Sequence, residues 1–189
     1  MAEVLFINDQ YIKKYSQING SVDPNLMYPS IVLAQEKYLM PLLGSVLYKK
    51  LKDDVENNTL AGDYATLMNE YCRRVLLWAT ICEVTPHLTY KIDNGTIVQR
   101  SSEDSSSIDD STMNEFVARF KTNYDFYAKQ LTMYLCANNG LFPEYNQVVT
   151  GETQPLREAD VSSLFLFSKG NTYTSTRKTT LPPEYRPLP

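Results

Sequence analysis

Only one histidine is present, and His87 stands four residues after Glu83. On a helix that spacing places both side chains on one face, one turn apart, where they could share a proton or hold a metal ion. A helix-end histidine satisfied by its neighbour is the plainer reading. With a single histidine, neither a HExxH zinc site nor the paired Glu-x-x-His set of a di-iron bundle can be built. The seven glycines are scattered singly, so no GxGxxG or GxxxxGK loop exists to cradle a phosphate. Ser175-Thr176-Arg177-Lys178 has S-x-x-K spacing, but the companion SDN and KTG motifs of serine acyltransferases are missing. Glu103, Asp104, Asp109 and Asp110 cluster, and clustered acids can bind Ca²⁺ or Mg²⁺. They lack the EF-hand spacing and central glycine, and read as a solvated acidic loop. Asn19, Asn57 and Asn94 head Asn-x-Ser/Thr triplets, which serve glycosylation only in a secreted chain and here mark turns. This inventory predicts no enzyme, no cofactor and no bound metal.

The elements that would position these groups are mostly helical. Asn8 and Asp9 can cap a short helix through Tyr11, Ile12 and Tyr15, and Asp23-Pro24 marks a helix start, predicted to run from about 24 to 40. Pro41 removes a backbone donor and Gly44 adds slack, yet Leu39, Leu43, Val46, Leu47, Leu51 and Val55 keep an apolar stripe, so a kinked or broken helix pair is expected. Gly62-Asp63 opens a long pattern through Leu67, Tyr71, Val75, Trp78 and Cys82, apolar on enough sides to be the central helix. Asn94-Gly95 between two short β-branched runs predicts a small hairpin. Thr112 with Glu115 is a capping-box pattern. After it Phe116, Phe120, Tyr124, Tyr127, Leu131 and Leu135 form a core-facing stripe that stops at Asn138-Asn139-Gly140. Cys72, Cys82 and Cys136, odd in number and widely spaced, read as reduced thiols packed in a core, and hence as intracellular.

Beyond residue 145 the pattern changes. Residues 146–162 read as a polar connector. Residues 163–168 and 172–176 flank Lys169-Gly170-Asn171 as two strands of a hairpin, and TLPPEYRPLP ends the chain as an extended, proline-rich arm. From Lys169 onward there are Lys169, Arg177, Lys178 and Arg186 against the single acid Glu184. A lone hairpin is marginal in water, so this arm calls for a partner. The chain of 189 residues, 43% hydrophobic and 21% charged, has room for one core. Its net charge of −4 argues against a protein that wraps nucleic acid. No apolar run could cross a bilayer and MAEVLFINDQ lacks a signal-peptide layout, so a soluble, non-exported protein without membrane contact is expected. Fourteen tyrosines point to surfaces that meet other proteins. The resulting fold class is mainly α: a bundle of about four to five helices over residues 1–145, a connector over 146–162, and a β-hairpin with an extended Pro-rich arm over 163–189.

Three stretches go further than composition. QEKYLMPLLGSVLY at 35–48, Glu83-Val84-Thr85-Pro86 on the central helix, and YLCAN at 134–138 leading to Phe142-Pro143-Glu144-Tyr145 resemble a family of tailed-phage virion proteins, found in crAss-like and other phages of Bacteroides-type hosts. The similarity is to head-to-tail connectors, also called adaptor or ring proteins, and covers the helical body. It implies a mostly helical subunit, assembled in the host cytoplasm into a closed ring of usually twelve copies. The ring would sit in the virion neck beneath the portal protein, next to other neck or tail proteins, with double-stranded DNA passing through it. On this reading Glu103, Asp104, Asp109 and Asp110 face the channel, where like charge keeps DNA from sticking. The arm supplies the intersubunit contacts through Leu164, Phe165, Leu166, Phe167, Tyr173, Arg177, Lys178, Tyr185 and Arg186, because strand edges and apolar groups unsatisfied at home can be buried on the next copy. The alternative is a small helical regulator or adaptor that binds a host protein or nucleic acid through the same basic arm.

Overall fold

In a computed structural model, which describes residues 3–18, 22–93, 96–99 and 109–157, the first two helices begin where a side chain can satisfy the free backbone donors of the first turn. Asn8 Oδ1 accepts from Tyr11 N at 2.9 Å to cap α1 (Asp9–Tyr15), and Asp23 Oδ1 accepts from Asn25 N at 2.9 Å to cap α2 (Pro24–Ala34). Both are the caps expected from the sequence. The rod that α2 begins does not stop at Met40. It widens into a π-helical stretch (Gln35–Leu39), in which Met40 N reaches back to Gln35 O, and continues as α3 (Met40–Leu43). A π turn shifts the hydrogen-bond register by one residue, so Pro41 joins the rod just after the ladder has been re-phased. The break falls instead at Gly44, whose φ of 74° and ψ of 155° are open only to glycine, and α4 (Ser45–Glu56) starts there.

A second rod runs from α5 (Gly62–Thr66) through another π-helical stretch (Leu67–Cys72) into α6 (Arg73–Thr89). Val75, Leu76, Leu77, Ala79, Thr80, Ile81 and Val84 are all buried, which makes α6 the central helix its composition predicted. It leads directly into β1 (Tyr90–Asp93), paired antiparallel with β2 (Thr96–Gln99) in the register Tyr90↔Gln99 to Asp93↔Thr96. Asn94 and Gly95, between the two strands, lie outside the described residues. The longest helix, α7 (Asp110–Ala137), lies along α6, with Tyr71 stacked on Tyr134 at 4.1 Å and Trp78 on Phe120 at 6.1 Å. It starts earlier than the capping box suggested: Asp109 holds the N-cap position and Thr112 is already inside the helix. An acidic residue at that position puts negative charge at the positive end of the helix dipole, which favours that start.

After Asn138 the chain turns through α8 (Pro143–Asn146), burying Phe142 and Tyr145. Tyr64 donates to Glu144 Oε2 at 2.7 Å, and its ring meets Phe142 edge-on at 5.4 Å. Residues 147–157, part of the 146–162 stretch read as a polar connector, lie against the body as a strap. Ser45 N donates to Thr153 O at 3.0 Å, Thr153 N to Ser45 Oγ at 2.8 Å, and Leu156 N to Pro41 O at 2.9 Å. Ser45 Oγ and Lys49 Nζ each lie 2.5 Å from the Glu152 carboxylate, and Arg157 donates to Tyr145 O at 3.1 Å. Gly44 lies under the strap: a Cβ there would sit 2.8 Å from Pro155 Cδ. The described architecture is therefore mainly α, with α6 at its centre between α2 and α7. The expected C-terminal hairpin and proline-rich arm of 163–189 lie outside the described residues.

Candidate functional site

Glu83 and His87 share a face of α6, but Glu83 serves a different partner. Its carboxylate accepts from Lys37 Nζ at 2.7 Å and from the Tyr38 hydroxyl, both on the π-helical stretch that follows α2. Burial alone would raise the Glu83 carboxyl, and the two hydrogen bonds outweigh it and hold it below its ordinary value. The Tyr38 phenol moves the other way, raised by burial and by the carboxylate it donates to. This is a helix-to-helix tie, and His87 lies exposed at the end of α6 beside Pro29 and Leu33 of α2. Among the described residues, no group of three or more His, Cys, Asp or Glu is placed to hold a metal ion.

The acidic cluster is only partly in view. Glu103 and Asp104 lie outside the described residues, Asp109 is exposed at the start of α7, and Asp110 is that helix's first residue. The contact residues expected on the arm, from Leu164 to Arg186, also lie outside them. The thiols do not all lie in the core. Cys72 is buried and Cys82 partly so, with burial pushing Cys82 up to about 12, while Cys136 is exposed. Cys136 falls on the outer side of α7, one position past the buried Leu135.

One concavity among the described residues was not anticipated. α1 and the segment after it, the C-terminal half of α6, and the N-terminal half of α7 enclose a groove of about 960 Å³. Trp78, Ile81 and Leu88 come from α6, and Phe116 and Phe120 from α7. The Phe116 and Phe120 rings are stacked at 6.3 Å, continuing the Trp78–Phe120 stack. Phe116 remains 42% exposed and Tyr15, on the α1 wall, 53%. Past Tyr15 and Trp78 the groove opens into a second recess of about 410 Å³ beside Tyr11, Arg73 and Tyr127. Arg73 is fixed there by donating to Phe6 O at 3.1 Å and lies over the Tyr11 ring. Among the described residues lining the larger groove, the charged side chains are Lys14 and Arg119, and none is a carboxylate. An apolar aromatic floor with a positive edge suits an extended peptide whose apolar side chains follow acidic ones.

The periodicity of α7 placed Phe116 and Phe120 in the core stripe with Tyr124 and Leu131, and the deeper half of that stripe is buried as expected. The upper half is not: α1 ends at Tyr15, and among the described residues no further helix covers that stretch of α6 and α7. The excess of aromatic residues was the one available sign of such a surface.

Among the described residues, the fold is a helical body with a groove between α1, α6 and α7. The chain belongs to DUF6712, a family of unknown function, whose model matches residues 39–154. That span begins at the end of the first π-helical stretch and ends at Gln154 in the strap, so its two ends meet at the α3–α4 corner. Neither a curated protein nor a solved structure matches the chain. Among the described residues, no helix is long and apolar enough to cross a membrane.

Proposed function

We propose that this protein is a non-enzymatic structural subunit that assembles with copies of itself into a ring in the neck of a phage virion, docked on the portal protein and open to passing DNA. The observation that carries the reading is the layout of the body: an open aromatic groove walled by α1, α6 and α7, and a C-terminal segment that leaves from a strap anchored on α3, α4 and α8. Donor and acceptor regions on different elements give a head-to-tail contact, and head-to-tail contacts close into rings when the rotation per copy divides a full turn. The sequence resemblance to head-to-tail connectors supplies the setting, with the residues from Leu164 to Arg186 as intersubunit contacts.

The test is the mass of the full chain, alone and with its portal protein, by light scattering and electron microscopy. A closed particle of about twelve copies is the expected result. A chain that stays monomeric or dimeric in both conditions, and binds oligonucleotides in a salt-sensitive way, would replace the ring with a small regulator acting through its basic arm. Removal of the arm should abolish assembly while leaving the helical body folded. The cut belongs after Arg157, since a cut at Tyr145 would also strip the strap from Gly44 and Ser45.

A further inference from the structure

We infer that the groove between α1, α6 and α7 is the receptor for residues 158–167 of a neighbouring copy. Three observations converge on this segment. Its sequence, EADVSSLFLF, places Glu158 and Asp160 ahead of four consecutive large apolar residues, Leu164 to Phe167. The groove offers the complement, an apolar floor of Trp78, Ile81 and Phe120 with Lys14 and Arg119 at its edge. The segment also begins directly after the last strap residue, Arg157, which is tied to Tyr145 and Asn146. The strap's partners (Pro41, Ser45, Lys49, Tyr145 and Asn146) share no residue with the groove lining, so donor and receptor occupy separate parts of the body. In taking the donor to be a second copy, the inference rests on the assembly proposed above. It adds the receiving surface and the residues that recognise one another: acids against Lys14 and Arg119, and Leu and Phe side chains against the stacked rings.

Trp78 is the chain's one tryptophan and forms part of the groove floor, so its fluorescence reads occupancy directly. The experiment follows Trp78 emission and acrylamide quenching in the full chain against protein concentration, with particle mass measured in parallel and helix content checked by circular dichroism. In the wild type, Trp78 is expected to become shielded as the chain assembles. In F165S/F167S the concentration needed for shielding should rise by about a hundredfold, from the loss of two buried aromatic side chains. Arg119→Glu should weaken the contact, and adding Glu158→Lys with Asp160→Lys should restore it, a rescue that a folding defect would not produce. The inference is overturned if Trp78 is equally quenched in wild type and F165S/F167S while both assemble, a result that leaves the ring standing. Shielding that is independent of concentration in a monomeric chain would remove both the neighbouring donor and the ring. An oligonucleotide that shields Trp78 while F165S/F167S has no effect would assign the groove to nucleic acid instead.

Discussion

Gly44→Ala tests whether the strap is part of the folded body. Two effects act together. The backbone at φ 74° and ψ 155° lies in a region essentially restricted to glycine, and forcing alanine there costs about 1–3 kcal/mol. The added Cβ would also lie 2.8 Å from Pro155 Cδ, 3.0 Å from Pro155 N and 3.2 Å from Thr153 O, so the strap has to lift. Lifting it loosens the bonds from Ser45 N, Thr153 N and Leu156 N, each worth about 0.5–1.5 kcal/mol net. Stiffening the unfolded chain returns about 0.4–1 kcal/mol. With the three bonds weakened and not broken outright, contributing together about 1–2 kcal/mol, the balance is a loss of about 2–4 kcal/mol. In urea unfolding followed by circular dichroism, with a slope of about 2 kcal/mol/M, the midpoint should fall by about 1–2 M. Adding Pro155→Ala removes one of the clashing groups and should recover about 1 kcal/mol, leaving the backbone part in place. The reasoning is refuted if Gly44→Ala unfolds within about 0.2 M of wild type, or if Pro155→Ala adds its own loss instead of relieving the first.

Three further outcomes follow from the interior. The Glu83 carboxyl lies below its ordinary value in the folded chain, so its contribution to stability is present above the unfolded carboxylate value and is lost as pH falls through the lowered one. Glu83→Gln should therefore reduce stability at neutral pH by about 1 kcal/mol, Lys37 being partly exposed, and flatten the acid limb of a stability–pH profile; an unchanged limb would show that the tie does not couple to folding. Tyr124 is 1% exposed and its hydroxyl has no hydrogen-bond partner among the described residues, so Tyr124→Phe should stabilise the chain by about 1–2 kcal/mol in thermal or urea melts. Thiol labelling of the native chain should be fast at Cys136, slow at Cys82 and absent at Cys72, in line with their exposure and with burial raising the latter two. Mass spectrometry of the labelled peptides reads the order.

Much of the fold was written in local chemistry. Asn8 and Asp23 announce their helices because a side-chain oxygen at those positions has one obvious use, and the all-round apolar run about Val75 to Val84 has no stable place but the centre. The π-helical stretches at Gln35–Leu39 and Leu67–Cys72 leave no such mark, since re-phasing backbone hydrogen bonds changes no residue type. Gly44 was legible as a break but not as a seat for the strap, because Pro155 lies more than a hundred residues away and residues 147–157 carry no periodicity. The groove escaped for a related reason. Spacing shows that Phe116 and Phe120 share a stripe with Tyr124, but whether another helix covers them depends on where α1 ends. The early start of α7 turned on Asp109, whose charge was read as a loop property when part of it belongs to the helix terminus.

The strap also decides how a pull on the molecule is shared out. Tension applied beyond Arg157 meets first its bonds to Tyr145 and Asn146 of α8, and then those of Leu156 to Pro41 and of Thr153 to Ser45, before it can draw on the end of α7. Traction on the tail is thus shared between α8 and the corner where α3 and α4 join, and the long outer helix is spared until those anchorages tear.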